Sequence, residues 1–167
     1  MTAKADFSPA EWERLLEAPV LAGMVISMSS PSLMGAIGES MAIAKTIAAS
    51  GQQAAGNELL TAMLADFQNK ETAQLAKPHF DTKDKAQLKQ EMTGRLQMAV
   101  DLLNEKATAD EAQGLRQWFY QVATNVATAT KEGGFLSIGA VRVSDAEKAA
   151  LVELAGIFGV EATLPES

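Results

Sequence analysis

SPAEWERLLEAPVLAGMVISMSSPSLMGAIGESMAIAKTIAAS, residues 8–50, decides the fold class of this chain. It opens on a complete helix start. Ser8 stands at the cap, Pro9 brings a fixed φ suited to the first helical position, and Glu11 closes a capping box back onto Ser8. Phe7 and Trp12 flank the cap at the spacing of a hydrophobic staple. The helix is expected to reach about Ala18. There Pro19 kinks it or starts a second helix, because the ring clashes with the preceding turn. Residues 19–29 are apolar on every side through Val20, Leu21, Met24, Val25, Ile26 and Met28, the pattern of a helix in the middle of a protein. Ser30-Pro31 breaks that run and begins a further helix to about Ser50, whose only charges are Glu39 and Lys45. Ala36, Ser40, Ala44 and Ala48 recur on it at i, i+4, a small-residue stripe that lets a neighbouring helix come close.

The rest of the chain repeats the helical signal. Leu60, Met63, Leu64, Phe67 and Leu75 mark a helix over 57–75. Leu88, Met92, Leu96, Ala99 and Leu103 mark one over 82–105, with Asp81 as its cap. Thr108 and Glu111 form a capping box that opens a helix over 109–131. Ser144 and Glu147 form another, opening a last helix that ends near Gly159. Between them, residues 133–143 are apolar and Gly-containing and read as a loop folded onto the core. The expectation is an all-α fold: one domain over 1–167, a bundle of about seven helices, with 1–6 and 160–167 as flexible tails.

Bulk properties limit the functions open to such a bundle. At 167 residues the chain is long enough to bury a core without staples. With no cysteine it has no disulfide, thiolate metal site or cysteine nucleophile. That usage suits a reducing compartment, so a cytoplasmic location is expected. A net charge of −7, with no stripe of Lys or Arg, argues against nucleic acid and against anionic membrane surfaces. The uncharged run over 18–38 is long enough to span a bilayer, but Ser29-Ser30-Pro31-Ser32 and three glycines interrupt it. It reads as a buried helical pair rather than a membrane segment.

Two stretches, 21–49 and 122–159, share a pattern of helix, polar or Gly-rich break, and capped helix, which suggests a pseudo-repeat of two helix–loop–helix units. Glu132-Gly133, followed by Ser144-Asp145-Ala146-Glu147-Lys148 and then Leu154-Ala155, resembles the acidic loop and helix opening of the TerB-like tellurite-resistance family. The match covers about 30 residues closely and the rest in outline. The resemblance implies an all-helical bundle of two related units, and a divalent cation on Glu132, Asp145 and Glu147. The chain departs from the family pattern in the ten or so residues between the two parts. Its earlier unit, Ser29-Ser30-Pro31-Ser32, carries no acid. Hard cations want six or more oxygen ligands, so most of a calcium-type set is missing.

Other candidate chemistry is sparse. His79 is the lone histidine, so zinc of the usual kind lacks partners. No G-x-S-x-G elbow presents a serine, and no Glu-x-x-His pair supports a di-iron centre. Asp110-Glu111 and Asp145/Glu147 lie in first turns, where acids offset the helix dipole. Arg142, beside the start of the last helix, is a candidate for a small anion, with Asp145 and Glu147 opposing it. Trp118, Phe119 and Tyr120 are consecutive on one helix. At least one should be partly exposed and mark a partner surface. The leading expectation is a non-enzymatic interaction or scaffold protein, stress-linked by its resemblance, with a protein partner or self-association and no cofactor. One alternative is a divalent-cation-binding TerB-like protein. The other is a helical protein whose 19–50 pair engages an apolar ligand or a membrane.

Overall fold

The computed structural model describes residues 1–29, 36–49, 56–129 and 143–165, and for 36–42 and 129 the backbone alone. The described residues form an all-α, single-domain bundle of six helices with no strand. These are α1 (Pro9–Ser29), α2 (Ala36–Ala49), α3 (Glu58–Gln68), α4 (Lys85–Lys106), α5 (Ala109–Ala129) and α6 (Asp145–Phe158). Short 3-10 turns occupy Lys4–Asp6 and Thr72–Gln74. The Gly-rich break of the second expected repeat unit, 130–142, lies outside the described residues, as do the restart at Pro31 and the stop at Gly51.

Helix starts follow their caps. Ser8 Oγ accepts from Glu11 N at 3.3 Å, and Ser8 N donates to Glu11 Oε2 at 2.7 Å. The Phe7 and Trp12 rings stand 5.8 Å apart, closing the staple. The boxes at Thr108/Glu111 and Ser144/Glu147 form as read. Asn57 caps α3 through Leu60 N. The cap of α4 is Asp84, not Asp81: Asp84 Oδ1 accepts from Gln87 N at 2.9 Å, and the helix begins three residues later than expected. The helix expected over 57–75 stops at Gln68. Asn69 is extended at φ −90° and ψ 123°, and only a 3-10 turn follows.

α1 departs most from its expectation. It is one continuous helix with Pro19 inside it, so two expected helices are one. An interior proline costs about 3 kcal/mol in lost bonding and steric clash. The flanking residues offset that, because Leu15, Leu16, Ala18, Leu21, Ala22, Val25 and Ile26 are all fully buried. Each large side chain among them contributes roughly 1.5–3 kcal/mol on leaving water. α1 packs along α5 on one side and α4 on another, while α2 and α6 close the remainder.

α5 is the second central helix, meeting α1, α2, α3, α4 and α6. That position overturns the reading of its aromatic run. Trp118, Phe119 and Tyr120 are 2%, 0% and 5% exposed, so none marks a partner surface. Phe119 faces Phe158 at 5.8 Å, and Trp118 meets Phe67 of α3 at 6.5 Å. Tyr120 is covered by the C-terminal segment, its hydroxyl donating to Thr163 O at 3.3 Å. A helix with neighbours on most of its faces can bury three consecutive residues where a surface helix buries one stripe, and Gln113, Gln117 and Gln121 keep the remaining face of α5 exposed.

The N-terminal residues are tied to the start of α5. Thr2 N and Oγ1 donate to the Glu111 carboxylate at 3.0 and 2.8 Å, and Thr108 Oγ1 donates to the same group at 2.6 Å. Burial pushes the Glu111 carboxyl up. The bonds from Thr108 and Thr2 outweigh it and hold the group at about 2. Lys106, at the end of α4, pairs with Glu11 at the start of α1 at 2.7 Å. The bond from Lys106, with those from Ser8, lowers Glu11 to about 2.

Candidate functional site

The residues singled out in the sequence do not converge. His79 is exposed, with Nε2 3.2 Å from Asp81 Oδ1. Asp145 is exposed in the first turn of α6. Glu147 is buried, and its Oε2 accepts from Ser144 N and Ser144 Oγ at 2.7 and 2.8 Å, so one oxygen serves the cap. Its Oε1 is buried without a partner. Glu132 and Arg142 lie outside the described residues. Among the described residues, no group of three or more His, Cys, Asp or Glu is placed to hold a metal ion. Among the described residues, no helix is long and apolar enough to cross a membrane.

A cavity of about 580 Å³ lies instead where α1, α2, α3 and the segment 73–78 meet. Its construction follows from helical spacing. Val20, Met24 and Ser27 fall at i, i+4 and i+7, so they share one face of α1 and extend over about 10 Å of helix rise. α2 supplies Ile43, Ala44, Ile47 and Ala48 from the opposite wall. α3 supplies Leu64, Phe67 and Gln68. The segment after α3 closes the base with Ala73, Ala76, Lys77 and Pro78. Ala44, Ala48, Gln68 and Lys77 are exposed, so the cavity opens to solvent along their side.

The α2 residues correct the reading of the small-residue stripe. Ala44 and Ala48 do not seat a neighbouring helix; they form an open wall. The close approach of α1 to α2 is made by Gly23, where an added Cβ would stand 2.6 Å from Ile43 Cγ1. Gly23 brings the backbones together at one point, and the short side chains of Ala44 and Ala48 leave space beside it. Side chains at Ala36 and Ser40 lie outside what is described.

Polar groups in the cavity are few. Ser27 is 8% exposed and its Oγ has no hydrogen-bond partner. A helical serine ordinarily bonds back to the carbonyl four residues earlier, as Ser29 does to Val25 O at 3.0 Å. An unpaired buried hydroxyl costs about 1–3 kcal/mol, so Ser27 is an acceptor-and-donor held ready in an apolar wall. Lys77 is the cation at the mouth, and its ammonium has no ion pair among the described residues.

Ser27, Gln68 and Lys77 are the polar residues of the lining, and Ser27 and Lys77 are set apart along α1. Arg95 NH2 donates to His79 O at 2.9 Å, and Arg95 NH1 stands 3.5 Å from Glu17 Oε2. The 77–79 segment is therefore fastened near Glu17. Ser27 lies ten residues further along α1, about 15 Å away by helix rise. Glu17 is the acid nearest that end on α1. Burial raises its carboxyl above the usual range, against the opposing pull of Arg95.

The sequence offered the 19–50 pair as one place for an apolar ligand, but it did not show the cavity or the part taken by α3 and the segment after it. Val20, Met24 and Ser27 sit within the run assigned to core, and nothing in a sequence shows whether a small residue opposite them is filled or left open. Comparisons with protein-family models, with curated proteins and with solved structures find no match to this chain.

Proposed function

We propose that the protein binds a small apolar molecule in the cavity between α1, α2 and α3. This is the apolar-ligand alternative that the sequence suggested for the 19–50 pair, extended to α3 and the segment after it. The observation that carries it is the unpaired, buried Ser27 hydroxyl in the wall of an open, otherwise apolar cavity of about 580 Å³. Small-molecule sites are concave, mostly apolar and about 300–1,000 Å³, with a few polar groups that set orientation. The aromatic run read from the sequence as a partner surface is buried and lends no support to an interaction role. The remaining large exposed apolar residues described, Met1, Leu75, Met98, Val152 and Leu164, come from five separate stretches of sequence.

Decan-1-ol and the neutral dye Nile red are suitable probes. Calorimetry and dye fluorescence should report saturable binding of one molecule per chain, with the two probes competing. Ala48→Trp should abolish it: Ala48 is exposed on the cavity wall, so a large ring there fills space without disturbing the core. Far-UV circular dichroism checks that the variant keeps its helix content. Undiminished binding in the Ala48→Trp variant would refute the cavity as the site.

A further inference from the structure

The cavity has a direction, and the direction selects a ligand class. Its lining is mostly apolar, with the exposed Gln68 and Lys77 on its open side and Ser27, whose hydroxyl is unpaired, on α1. Lys77 belongs to the segment that Arg95 fastens beside Glu17, whereas Ser27 lies toward the other end of α1. The same Arg95 neutralises Glu17, the acid that would otherwise oppose an anion entering there.

We infer that the occupant is a single-chain carboxylic acid, its carboxylate against Lys77 at the mouth, its hydrocarbon body along Val20 and Met24, and a second oxygen at its distal end bonded to Ser27. This rests on the reading of the cavity as a ligand site and specifies its chemistry. Each part answers a separate feature. The apolar walls fit methylene groups, whose removal from water drives binding. The ammonium and the carboxylate attract at the solvent edge, where neither is fully desolvated. Ser27 gains the partner its own helix does not give it. The volume suits one chain of a small amphiphile, and two polar ends fix its orientation.

Four probes matched in length separate the features: decan-1-ol, decanoate, decyltrimethylammonium and 10-hydroxydecanoate, each titrated calorimetrically below its micellar concentration. The full chain is expected to bind decanoate about three-fold tighter than decan-1-ol, the scale of a solvent-edge ion pair. It should bind 10-hydroxydecanoate about five-fold tighter again, the scale of one hydrogen bond. Decyltrimethylammonium should bind weakest. Lys77→Glu should remove the preference for carboxylates over decan-1-ol; Lys77 is exposed, so the fold is not at risk. Ser27→Ala should erase the advantage of the hydroxy acid over decanoate. If decan-1-ol binds but decanoate is no tighter in the wild type, or if Lys77→Glu weakens both equally, the inference falls and the cavity reading survives. If none of the four binds, both fall. Co-flotation of the protein with phosphatidylglycerol vesicles would place the anion on a lipid surface and overturn the single-chain acid.

Discussion

Replacing Gly23 with alanine perturbs a close contact between α1 and α2. The new Cβ would lie 2.6 Å from Ile43 Cγ1 and 2.8 Å from Ile43 Cδ1, with Val126 Cγ2 at 3.4 Å behind it. Carbon atoms rest at roughly 3.5–4.0 Å, so Ile43 must move for the methyl group to fit. Two effects oppose each other. Alanine gains about 0.5–1 kcal/mol over glycine in a helix interior. Overpacking a tight contact costs about 1–3 kcal/mol. The net expectation is a loss of about 0–2 kcal/mol, set by how far Ile43 can turn into the cavity beside it.

The sign should reverse when Ile43 is shortened. Ile43→Ala alone is expected to cost about 2 kcal/mol, the low end for such a truncation, because Ile43 already faces open space on one side. In that background the clash is gone and Gly23→Ala should stabilise by about 0.5–1 kcal/mol. The coupling in the double-mutant cycle is then about 1–3 kcal/mol, well above the scatter expected for independent sites. Urea unfolding followed by far-UV circular dichroism measures all four proteins, and unchanged m-values confirm that the comparison is of stability. A domain with about 5–15 kcal/mol in hand tolerates each change. If Gly23→Ala stabilises by the same amount with Ile43 present and absent, the close contact is not real and the described cavity wall is wrong with it.

Two titrating groups give predictions of opposite sign. Glu111 is held at about 2 in the fold against an ordinary 4.5, so its contribution is complete above pH 4.5 and is lost as pH falls toward 2. Glu111→Gln should lower Tm at neutral pH, by a loss of about 1–3 kcal/mol, and the gap to wild type should close over that window. A gap that stays constant with pH would show that the charge is not what the bonds from Thr2 and Thr108 hold. Glu17 is shifted upward by burial, so its ionised form weighs against the fold and stability should be gained as pH falls through its folded pKa. Glu17→Gln should therefore leave Tm at neutral pH unchanged or higher; a clear fall would mean that the pair with Arg95 outweighs the burial.

The helix starts at Ser8, Thr108 and Ser144 were legible because capping is local chemistry, with donor and acceptor three residues apart. The stop at Gly159 was legible because its φ of 62° suits glycine. The continuity of α1 through Pro19 was not legible. Proline breaks a helix locally, and only the burial of seven α1 residues around it, against the other helices, explains its acceptance here. The same blindness hid the burial of Trp118, Phe119 and Tyr120, which depends on how many helices surround α5. It hid the cavity most completely. Ala44 and Ala48 at i, i+4 specify a smooth face, but a smooth face is compatible with a close neighbour or with none. The choice is made at Gly23, on a different helix.

Ser27 joins the stability of the fold to its proposed use. Its hydroxyl is buried, it declines the bond to its own helix that Ser29 makes, and it finds no other. Such a group weakens the empty protein by about 1–3 kcal/mol, and alanine would also be the better helix former by a few tenths. Ser27→Ala should therefore raise the stability of the ligand-free protein, since the substitution removes one oxygen and opens little new space. With ligand present the order should invert in part: a molecule at 100 times its dissociation constant adds about 2.7 kcal/mol to the state that binds it. The wild type gains more of this than the variant for any ligand that bonds to the hydroxyl. Thermal unfolding of both proteins, with and without 10-hydroxydecanoate, reads the two effects separately. A Ser27→Ala variant less stable than wild type when empty would mean that the hydroxyl already has a partner, and it would remove the main reason for treating this cavity as a binding site.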